Sequence, residues 1–409
     1  MTRHVMKLIW NRKRSNGLIL VELLACFIVL CAVLTTGLDM LRRWQVPMGF
    51  EVTDCWEVQI SGGSLFALEG EEAEAAAETV MELRRAVANL PAVEQAALVF
   101  NAPLSEMSSI TTTRIDGQAI RMQQVYLEPE ARGVFKFDLV AGRWLEPGDG
   151  LLDFTPVVID RDLGRRLFPG ENPLGKLLPL VDREGNAKEA EGPEDIRRIV
   201  GLVSAYRKNG RLGETDIHAV MVPNRIEQSY LTVSNIDFRV AAGTSGAFEE
   251  QLLATLRGIN PDWNYTVESY AYRVSDRQIQ QLMPLILAGV LAGFLIIMVG
   301  LGLVGVLWQA VTRRTREMGL RRALGATDHG VRCQIIAELM ALTLVAVALG
   351  SILFFQAPLL GLTGSIGYPV LILAAVIAAV VLAAFVAVCG LYPSWLATRV
   401  DPARALQYE

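Results

Sequence analysis

Three long runs with almost no charge dominate the hydrophobic pattern of this chain. Gly17–Leu38 contains one charged residue, Glu22, whereas Gln278–Thr312 and Leu339–Thr398 contain none. About 20 apolar residues are enough for a helix to cross the hydrocarbon core of a bilayer. The third run is long enough for two spans, and its Gly- and Pro-rich centre, PLLGLTGSIGYP, predicts a short loop between them.

The pattern predicts a membrane protein with four transmembrane α-helices and a large α+β extracytoplasmic domain inserted between helices 1 and 2. The predicted boundaries are an interfacial helix at 1–16, spans at 17–38, 282–308, 334–357 and 368–391, a large domain at 39–281, a cytoplasmic loop at 309–333, a short external loop at 358–367 and a cytoplasmic tail at 392–409. Residues 2–14, TRHVMKLIWNRKR, suit a helix in the cytoplasmic interface, and the alternative is a plain basic flank of the first span.

Lysine and arginine concentrate beside the ends of the spans, and this sets the predicted orientation. The segment before Ser15 has five lysines and arginines and no acid, and the loop at 309–333 is rich in arginine. Both therefore belong in the cytoplasm, as does the tail after the fourth span. We predict an inner-membrane protein with cytoplasmic termini and a periplasmic domain.

The domain at 39–281 mixes helical and strand patterns. Helices are predicted at Gly70–Leu90 and Gly246–Arg257, and Tyr270–Leu282 continues without a break toward the second span, where Pro284 can kink it. Short strands are predicted at Ala97–Phe100, Gln123–Leu127, Pro156–Ile159, Arg198–Val203, Ala219–Val222, Asp237–Val240 and Trp263–Val267.

The net charge of that domain limits the class of partner that it can bind. The chain is 52% hydrophobic and only 20% charged, and residues 39–281 hold 25 lysines and arginines against 37 acids, a net charge of −12. The remainder carries +7. This asymmetry fits the predicted topology and argues against nucleic acid as a partner.

One stretch, GENPLGKL at 170–177, is close to the phosphate-binding pattern G-x-x-x-x-G-K-[ST]. Pro173 removes one of the backbone N–H groups that such a loop needs, and Leu177 replaces the Mg²⁺-binding hydroxyl. The stretch also lies in the predicted external domain, where ATP is absent. We interpret it as a structural turn.

No catalytic or metal site is predicted. Of the five cysteines only Cys55 lies in the external domain, where it is either a buried small residue or has an intermolecular role. The histidines have no zinc-ligand spacing, and no motif brings His218 together with a serine and an acid. Glu22 is expected either to reach toward Arg12 or Arg14 at the interface or to serve in a proton relay. Gly289 and Gly293 form a weak GxxxG packing pattern.

The most informative stretch is QAVTRRTREMGLRRALGATDHGVRCQIIA, at 309–337. Its apolar stripe contains Met318, Leu320 and Leu324, its arginines surround that stripe, Gly325 ends the helix, and Thr327 or Asp328 can cap the next one. The alternative is a loop that only keeps arginines inside, but topology alone needs charge and not this order of features. The predicted ATPase-coupling residues are Arg313, Arg314, Arg316, Glu317, Met318, Gly319, Leu320, Arg321, Arg322, Leu324 and Gly325.

The stretch TRRTREMGLRRALGATDHGVRCQIIAE resembles the cytoplasmic motif of FtsX/MacB-like ABC transporter permeases. PSWLATRVDPARALQYE is similar to the end of those permeases, and FKFDLVAGRWLEPGD, VVIDRDLGRRLFPGENPLGKLL and RRIVGLVSAYR resemble blocks of the MacB-type periplasmic core domain. The resemblance covers essentially the whole chain and is most specific in its membrane half.

This resemblance implies a non-catalytic permease subunit with no cofactor of its own. Its implied partners are a cytoplasmic ABC ATPase dimer that binds ATP, a second permease that is identical or paralogous, membrane lipid, and a periplasmic adaptor with an outer-membrane duct. Because about fourteen residues precede the first span, the ATPase is expected on a separate polypeptide. The implied mechanism is mechanotransmission, in which closure of the ATPases rearranges the external domain.

Two further interpretations stay open at this point. In the first, the same machine transmits force to a cell-wall hydrolase or senses an envelope signal without moving cargo. In the second, the chain is a static membrane receptor with no ATPase. The leading hypothesis is efflux or export of an envelope substrate.

Overall fold

The computed structural model describes residues 13–61, 68, 70–115, 118–179, 192, 195–214, 217–224, 235–244, 246–313, 328–364 and 366–397. The chain divides into two compact units, Met1–Arg42 with Leu282–Glu409, and Arg43–Gln281. Each unit has its own hydrophobic core.

The described elements follow one another in this order: α1 (Lys13–Trp44), β1 (Cys55–Ser61), α2 (Glu71–Ala88), β2 (Val93–Phe100), β3 (Ile110–Ile115), β4 (Gln118–Leu127), α3 (Ala131–Phe135), β5 (Leu139–Gly142), a 3₁₀ turn (Pro147–Leu151), β6 (Thr155–Asp160), α4 (Arg161–Leu167), β7 (Arg197–Val203), β8 (Ile217–Pro223), β9 (Asn235–Val240), α5 (Gly246–Ile259), β10 (Asn264–Ser269), α6 (Tyr270–Arg313), α7 (Asp328–Phe354) and α8 (Tyr368–Ala397).

The unit Arg43–Gln281 is built on one mixed sheet. Its described strands lie in the order β10-β1-β9-β2-β4-β8-β6-β7-β5, and β3 pairs with β4. The pairs β4–β8 and β6–β7 are parallel, and the other described pairs are antiparallel. The central strand β2 is buried on both faces over its last five residues, so helices and loops cover both sides of the sheet.

Amphipathic helices form one of the layers. Helix α2 has three glutamates in its first turn, where they interact favourably with the helix dipole, and Pro91 follows its end. Its buried Val80, Leu83 and Val87 pack with Phe248 and Leu252 of α5 in one cluster. Completely burying such a side chain contributes about 1.5–3 kcal/mol.

The second unit contains four helices that are long and apolar enough to cross a membrane. The candidate spans are Gly17–Trp44, Tyr270–Gly305, Ile336–Phe354 and Tyr368–Leu391. Their shared core includes Phe27 of α1, Leu303 of α6, Ala346 of α7 and Leu371 of α8. Many large apolar side chains point outward, among them Val290 and Leu391, as expected for surfaces in contact with lipid. The predicted fold class is confirmed.

Helix α6 is a single 44-residue element that contains Pro284. At 1.5 Å per residue such a helix is about 66 Å long, roughly twice the hydrocarbon thickness. The sequence-based expectation that the Tyr270 segment continues into the second span is confirmed. One helix therefore belongs in part to the external domain and in part to the membrane unit.

Candidate functional site

The predicted coupling segment is described only at its two edges. Arg313 is the last residue of α6, and Asp328 is the first residue of α7. Arg314, Arg316, Glu317, Met318, Gly319, Leu320, Arg321, Arg322, Leu324 and Gly325 lie outside the described residues, as do Thr327 and the tail after Ala397. Their coupling role stays a prediction.

Polar chemistry in the described part of the chain concentrates where α6 begins. Four side chains that are at most 9% exposed meet there, and we call Glu57, Asp237, Tyr270 and Arg273 the ion cluster. Glu57 lies on β1 directly opposite Asp237 on β9, while Tyr270 and Arg273 occupy the first turn of α6. The sheet register and the start of the helix together bring these residues into contact.

The ion cluster is densely hydrogen-bonded. The Arg273 guanidinium donates both terminal N–H groups to the Glu57 carboxylate, with 2.7 Å from Nη2 to Oε1, and its Nε donates to Glu268 at 3.0 Å. The Tyr270 hydroxyl donates to Oδ1 of Asp237 at 2.6 Å. Asn235 donates to Glu57 at 2.7 Å. The first turn of α6 is thus bonded to β1 through Glu57 and to β9 through Asp237.

Burial changes the protonation of Asp237. Desolvation raises the pKa of the Asp237 carboxyl well above its usual range, and the facing Glu57 carboxylate raises it further. Both effects favour the neutral form of Asp237, because each penalises a second negative charge beside Glu57. Glu57 forms an ion pair with Arg273. Removing either partner of that pair leaves a buried charge, which costs about 3–5 kcal/mol.

A loop of the unit Arg43–Gln281 contacts residues of α1 and α6 that belong to the same unit. Arg207, 4% exposed, donates to the Arg43 carbonyl near the end of α1 at 2.6 Å and to the Gly213 carbonyl at 2.7 Å. Gln281 on α6 donates to the Asn209 carbonyl at 2.9 Å. We call residues 206–212 the bridging loop, because it bonds to the end of α1 and to α6.

The GENPLGKL stretch forms a turn, as predicted. The N–H of Gly175 donates to the Ile199 carbonyl at 2.8 Å, and the N–H of Ile199 donates to the Lys176 carbonyl at 2.9 Å. Lys176 forms an ion pair with Glu171 and lies over the ring of Phe168. The backbone and the lysine are used for contacts within the domain rather than for holding a phosphate.

The single external histidine has a structural contact. Nδ1 of His218 lies 3.0 Å from Oδ1 of Asp160, and the same carboxylate accepts from the N–H groups of Leu163 and Ala219. Asp160 thereby caps α4. Among the described residues no three His, Cys, Asp or Glu side chains are placed to hold a metal ion.

The cysteine of the external domain, Cys55, is buried. Cys55 is 1% exposed, its Sγ lies 3.2 Å from the Val134 carbonyl, and burial raises the pKa of its thiol to about 12. This favours the interpretation of Cys55 as a buried small residue.

Glu22 is half-buried and faces α6, since a Cβ on Gly302 would lie 2.9 Å from its Oε2. Arg12 lies outside the described residues.

The ion cluster was missed by sequence reasoning. Its residues are separated by up to 216 positions, so no local motif contains them. The local sequence offered one indication, an acidic residue within an otherwise largely apolar segment. These residues are Glu57 in CWEVQIS and Asp237 in NIDFRV.

Comparison with known families matches both halves of the chain. The model of the MacB-like periplasmic core domain matches residues 25–255, which is more than half of the chain. The model of the FtsX-like permease C-terminal region matches residues 289–402.

Two relatives illustrate the similarity. The ABC transporter permease YknZ of Bacillus subtilis is 26% identical over 279 residues, which is 66% of this chain and 66% of YknZ. The macrolide export ATP-binding/permease protein MacB of Haemophilus ducreyi is 25% identical over 218 residues, 52% of this chain and 30% of MacB. The matches thus span from about a third to about two thirds of these relatives' lengths.

Among solved structures, the periplasmic region of MacB from Actinobacillus actinomycetemcomitans matches with a TM-score of 0.37 and 12% identity. The match covers 56% of this chain and 94% of that one.

Proposed function

Since the chain belongs to the FtsX/MacB-like family of ABC transporter permeases, we propose that it couples ATP hydrolysis by a separate cytoplasmic ATPase to movement of its external domain. A permease of an ABC transporter works with a cytoplasmic ATPase in general. The finer proposal is that the ATPases form a dimer on a separate chain, that two permeases assemble, and that ATP binds only to the ATPases.

Helix α6 carries this proposal. Its first turn supplies Tyr270 and Arg273 to the buried ion cluster, and its last residue, Arg313, begins the predicted coupling residues. A continuous helix with a tightly bonded end transmits displacement better than a flexible linker does. ATPase closure at the coupling segment would therefore reach β1 and β9 through α6.

The proposed direction is export. One relative is named as a macrolide exporter, and we propose that this chain moves an envelope substrate outward with a periplasmic adaptor and an outer-membrane duct. The spans support transmission rather than passage, because Glu22 is the sole charged residue within the three apolar runs, 17–38, 278–312 and 339–398. Both termini and the coupling segment are proposed to be cytoplasmic.

The test replaces the apolar stripe of the coupling segment. In the Met318→Asp/Leu320→Asp variant two carboxylates would have to be buried against the ATPase, so recovery of co-purifying ABC ATPase should fall by at least about tenfold. Affinity purification of the tagged full chain in mild detergent, followed by mass spectrometry, measures this.

The matched control is Met318→Leu/Leu320→Met, which keeps an apolar stripe at both positions and should retain the ATPase. Membrane insertion, followed by fractionation, should be unchanged in both variants. Undiminished recovery of the ATPase with the aspartate variant would contradict the proposed contact.

A further inference from the structure

A small cavity lies beside the bridging loop, within the unit Arg43–Gln281. It has a volume of about 70 Å³. Its polar lining consists of two guanidinium groups and three amides, Arg211, Arg277, Asn209, Gln278 and Gln281, and no acidic residue of the described part of the chain lines it. We call it the juxtamembrane cavity. Its donors suit an anion.

The two arginines have their charges uncompensated by any carboxylate of the described residues. Arg277 donates to the Leu104 carbonyl at 3.3 Å, and Arg211 lies over the ring of Trp44 with 5.6 Å to the centroid. A third cation, Lys208, is 8% exposed and donates to the Met107 carbonyl. Burial and the Arg277 guanidinium lower the pKa of the Lys208 ammonium to about 8. Like charges therefore gather here in a domain whose net charge is −12.

The cavity lies close in sequence to both predicted spans. Gln281 directly precedes Leu282, where the second span is predicted to begin, and Arg277 lies four residues earlier, about 6 Å along the helix. Trp44 lies six residues beyond Leu38, about 9 Å along α1. The headgroup region of a bilayer leaflet is roughly 5–8 Å thick, and tryptophan is enriched at that depth.

We propose that the juxtamembrane cavity binds the phosphate of an anionic phospholipid headgroup, with Arg211 and Arg277 as its cationic ligands. The volume admits a headgroup phosphate but no acyl chain, so the chains stay in the bilayer. Asn209, Gln278 and Gln281 supply neutral donors, and Met48 and Val52 give the cavity an apolar wall. A bound lipid would compensate the cations on the bridging loop and on α6 together.

The experiment titrates the detergent-purified full chain with short-chain phosphatidylglycerol, short-chain phosphatidylcholine or inorganic phosphate, and native mass spectrometry gives each Kd. The wild type should bind phosphatidylglycerol at least about tenfold more tightly than phosphatidylcholine, because charge-assisted hydrogen bonds are the stronger ones. The Arg211→Gln/Arg277→Gln variant should lose this preference.

The control is Arg165→Gln/Arg166→Gln, which removes the same charge from two exposed residues of α4 and should keep the preference. If the double variant fails to fold, Arg211→Gln alone tests the site, since Arg211 is exposed, and it should weaken phosphatidylglycerol binding severalfold.

Four outcomes would overturn the proposal. They are equal binding of the two lipids by the wild type, an equal loss in the control, unchanged binding by Arg211→Gln, and inorganic phosphate binding as tightly as phosphatidylglycerol. The last outcome would identify a site for a soluble anion.

Discussion

Asp237 is the residue whose chemistry differs most from what its type suggests. Its side chain is fully buried, Oδ1 accepts from Tyr270, and Glu57 faces it from the neighbouring strand. Two carboxylates cannot both ionise at such close range without a large cost. Burial and the facing Glu57 therefore raise the pKa of Asp237, while Arg273 compensates the charge of Glu57.

The raised pKa of Asp237 makes stability depend on pH. Because the folded state holds this proton more tightly than the unfolded state, stability falls as pH rises above the usual aspartate range and levels off above the folded pKa. Asparagine has the shape of the protonated form, carries no charge and keeps an oxygen that can accept from Tyr270. Asp237→Asn should therefore be at least as stable as wild type at pH 7 and should lose this part of the pH dependence.

Thermal unfolding of the full chain between pH 5 and 8 measures that effect. Asp162→Asn, an exposed change on α4, serves as the control and should follow the wild-type curve. A marked loss of stability in Asp237→Asn at pH 7 would mean that the carboxylate is ionised in the native state.

Individual residues of the ion cluster could not be predicted from the sequence. Arg273 and Glu57 are 216 positions apart, and only the placement of α6 against β1 brings them together. Cys55 shows the opposite case, since a lone cysteine in an apolar setting is buried whatever its neighbours are. The burial of a side chain can be inferred from its residue type and its neighbours in sequence. Which side chain it contacts depends on the topology of the fold.

At the scale of elements, periodic patterns were reliable where one face is apolar. Gly70–Leu90 was predicted as a helix and α2 occupies Glu71–Ala88, and the predicted strand Arg198–Val203 is β7. Strand β1 was missed because Glu57 interrupts its apolar pattern, and β5 because it has only four residues. Short or polar strands depend on neighbours that the sequence does not reveal.

The link between α6 and the sheet includes one buried ion pair, between Arg273 and Glu57. Replacing Arg273 by methionine leaves the Glu57 carboxylate buried without its cation, so we expect Arg273→Met to destabilise β1 and β9 by about 3–5 kcal/mol. Amide hydrogen exchange of the peptides covering these strands, in the full chain, measures the loss.

A second variant distinguishes the loss of the ion pair from a loss of side-chain packing. Glu57→Met/Arg273→Met removes both charges, and it should recover most of the protection that Arg273→Met loses, because an apolar pair of similar volume avoids the uncompensated charge. Arg257→Met, an exposed change on α5, should stay within about 0.5 kcal/mol of wild type. A double variant as unstable as the sum of its single variants would contradict the account of an ion pair.

At the scale of the whole molecule, the four candidate spans and the family followed from the sequence more completely than the site did. A long uncharged run identifies a membrane span without any knowledge of its contacts. The GLRRALGA segment is specific to the permease family that the chain resembles. Orientation stays a prediction from arginine placement, and it decides whether the coupling segment can meet an ATPase at all.

Cys333 provides the test of that orientation, because among the described cysteines it is the exposed one. It lies in α7, five residues after the helix begins, with Sγ 3.4 Å from Nε2 of His329. A membrane-impermeant maleimide added to intact cells should leave the chain unlabelled, since the external Cys55 is buried with a pKa of about 12. Labelling should appear after permeabilisation and vanish in Cys333→Ser.

The matched positive control adds Leu151→Cys to the Cys333→Ser chain. Leu151 is 94% exposed in the domain proposed to be external, so this single cysteine should react in intact cells. Labelling of Cys333 itself in sealed cells would put the coupling segment outside the cytoplasm. An ATP-driven partner could then not reach it, because ATP and ABC ATPases are cytoplasmic, and the proposed transmission through α6 would have no source of motion.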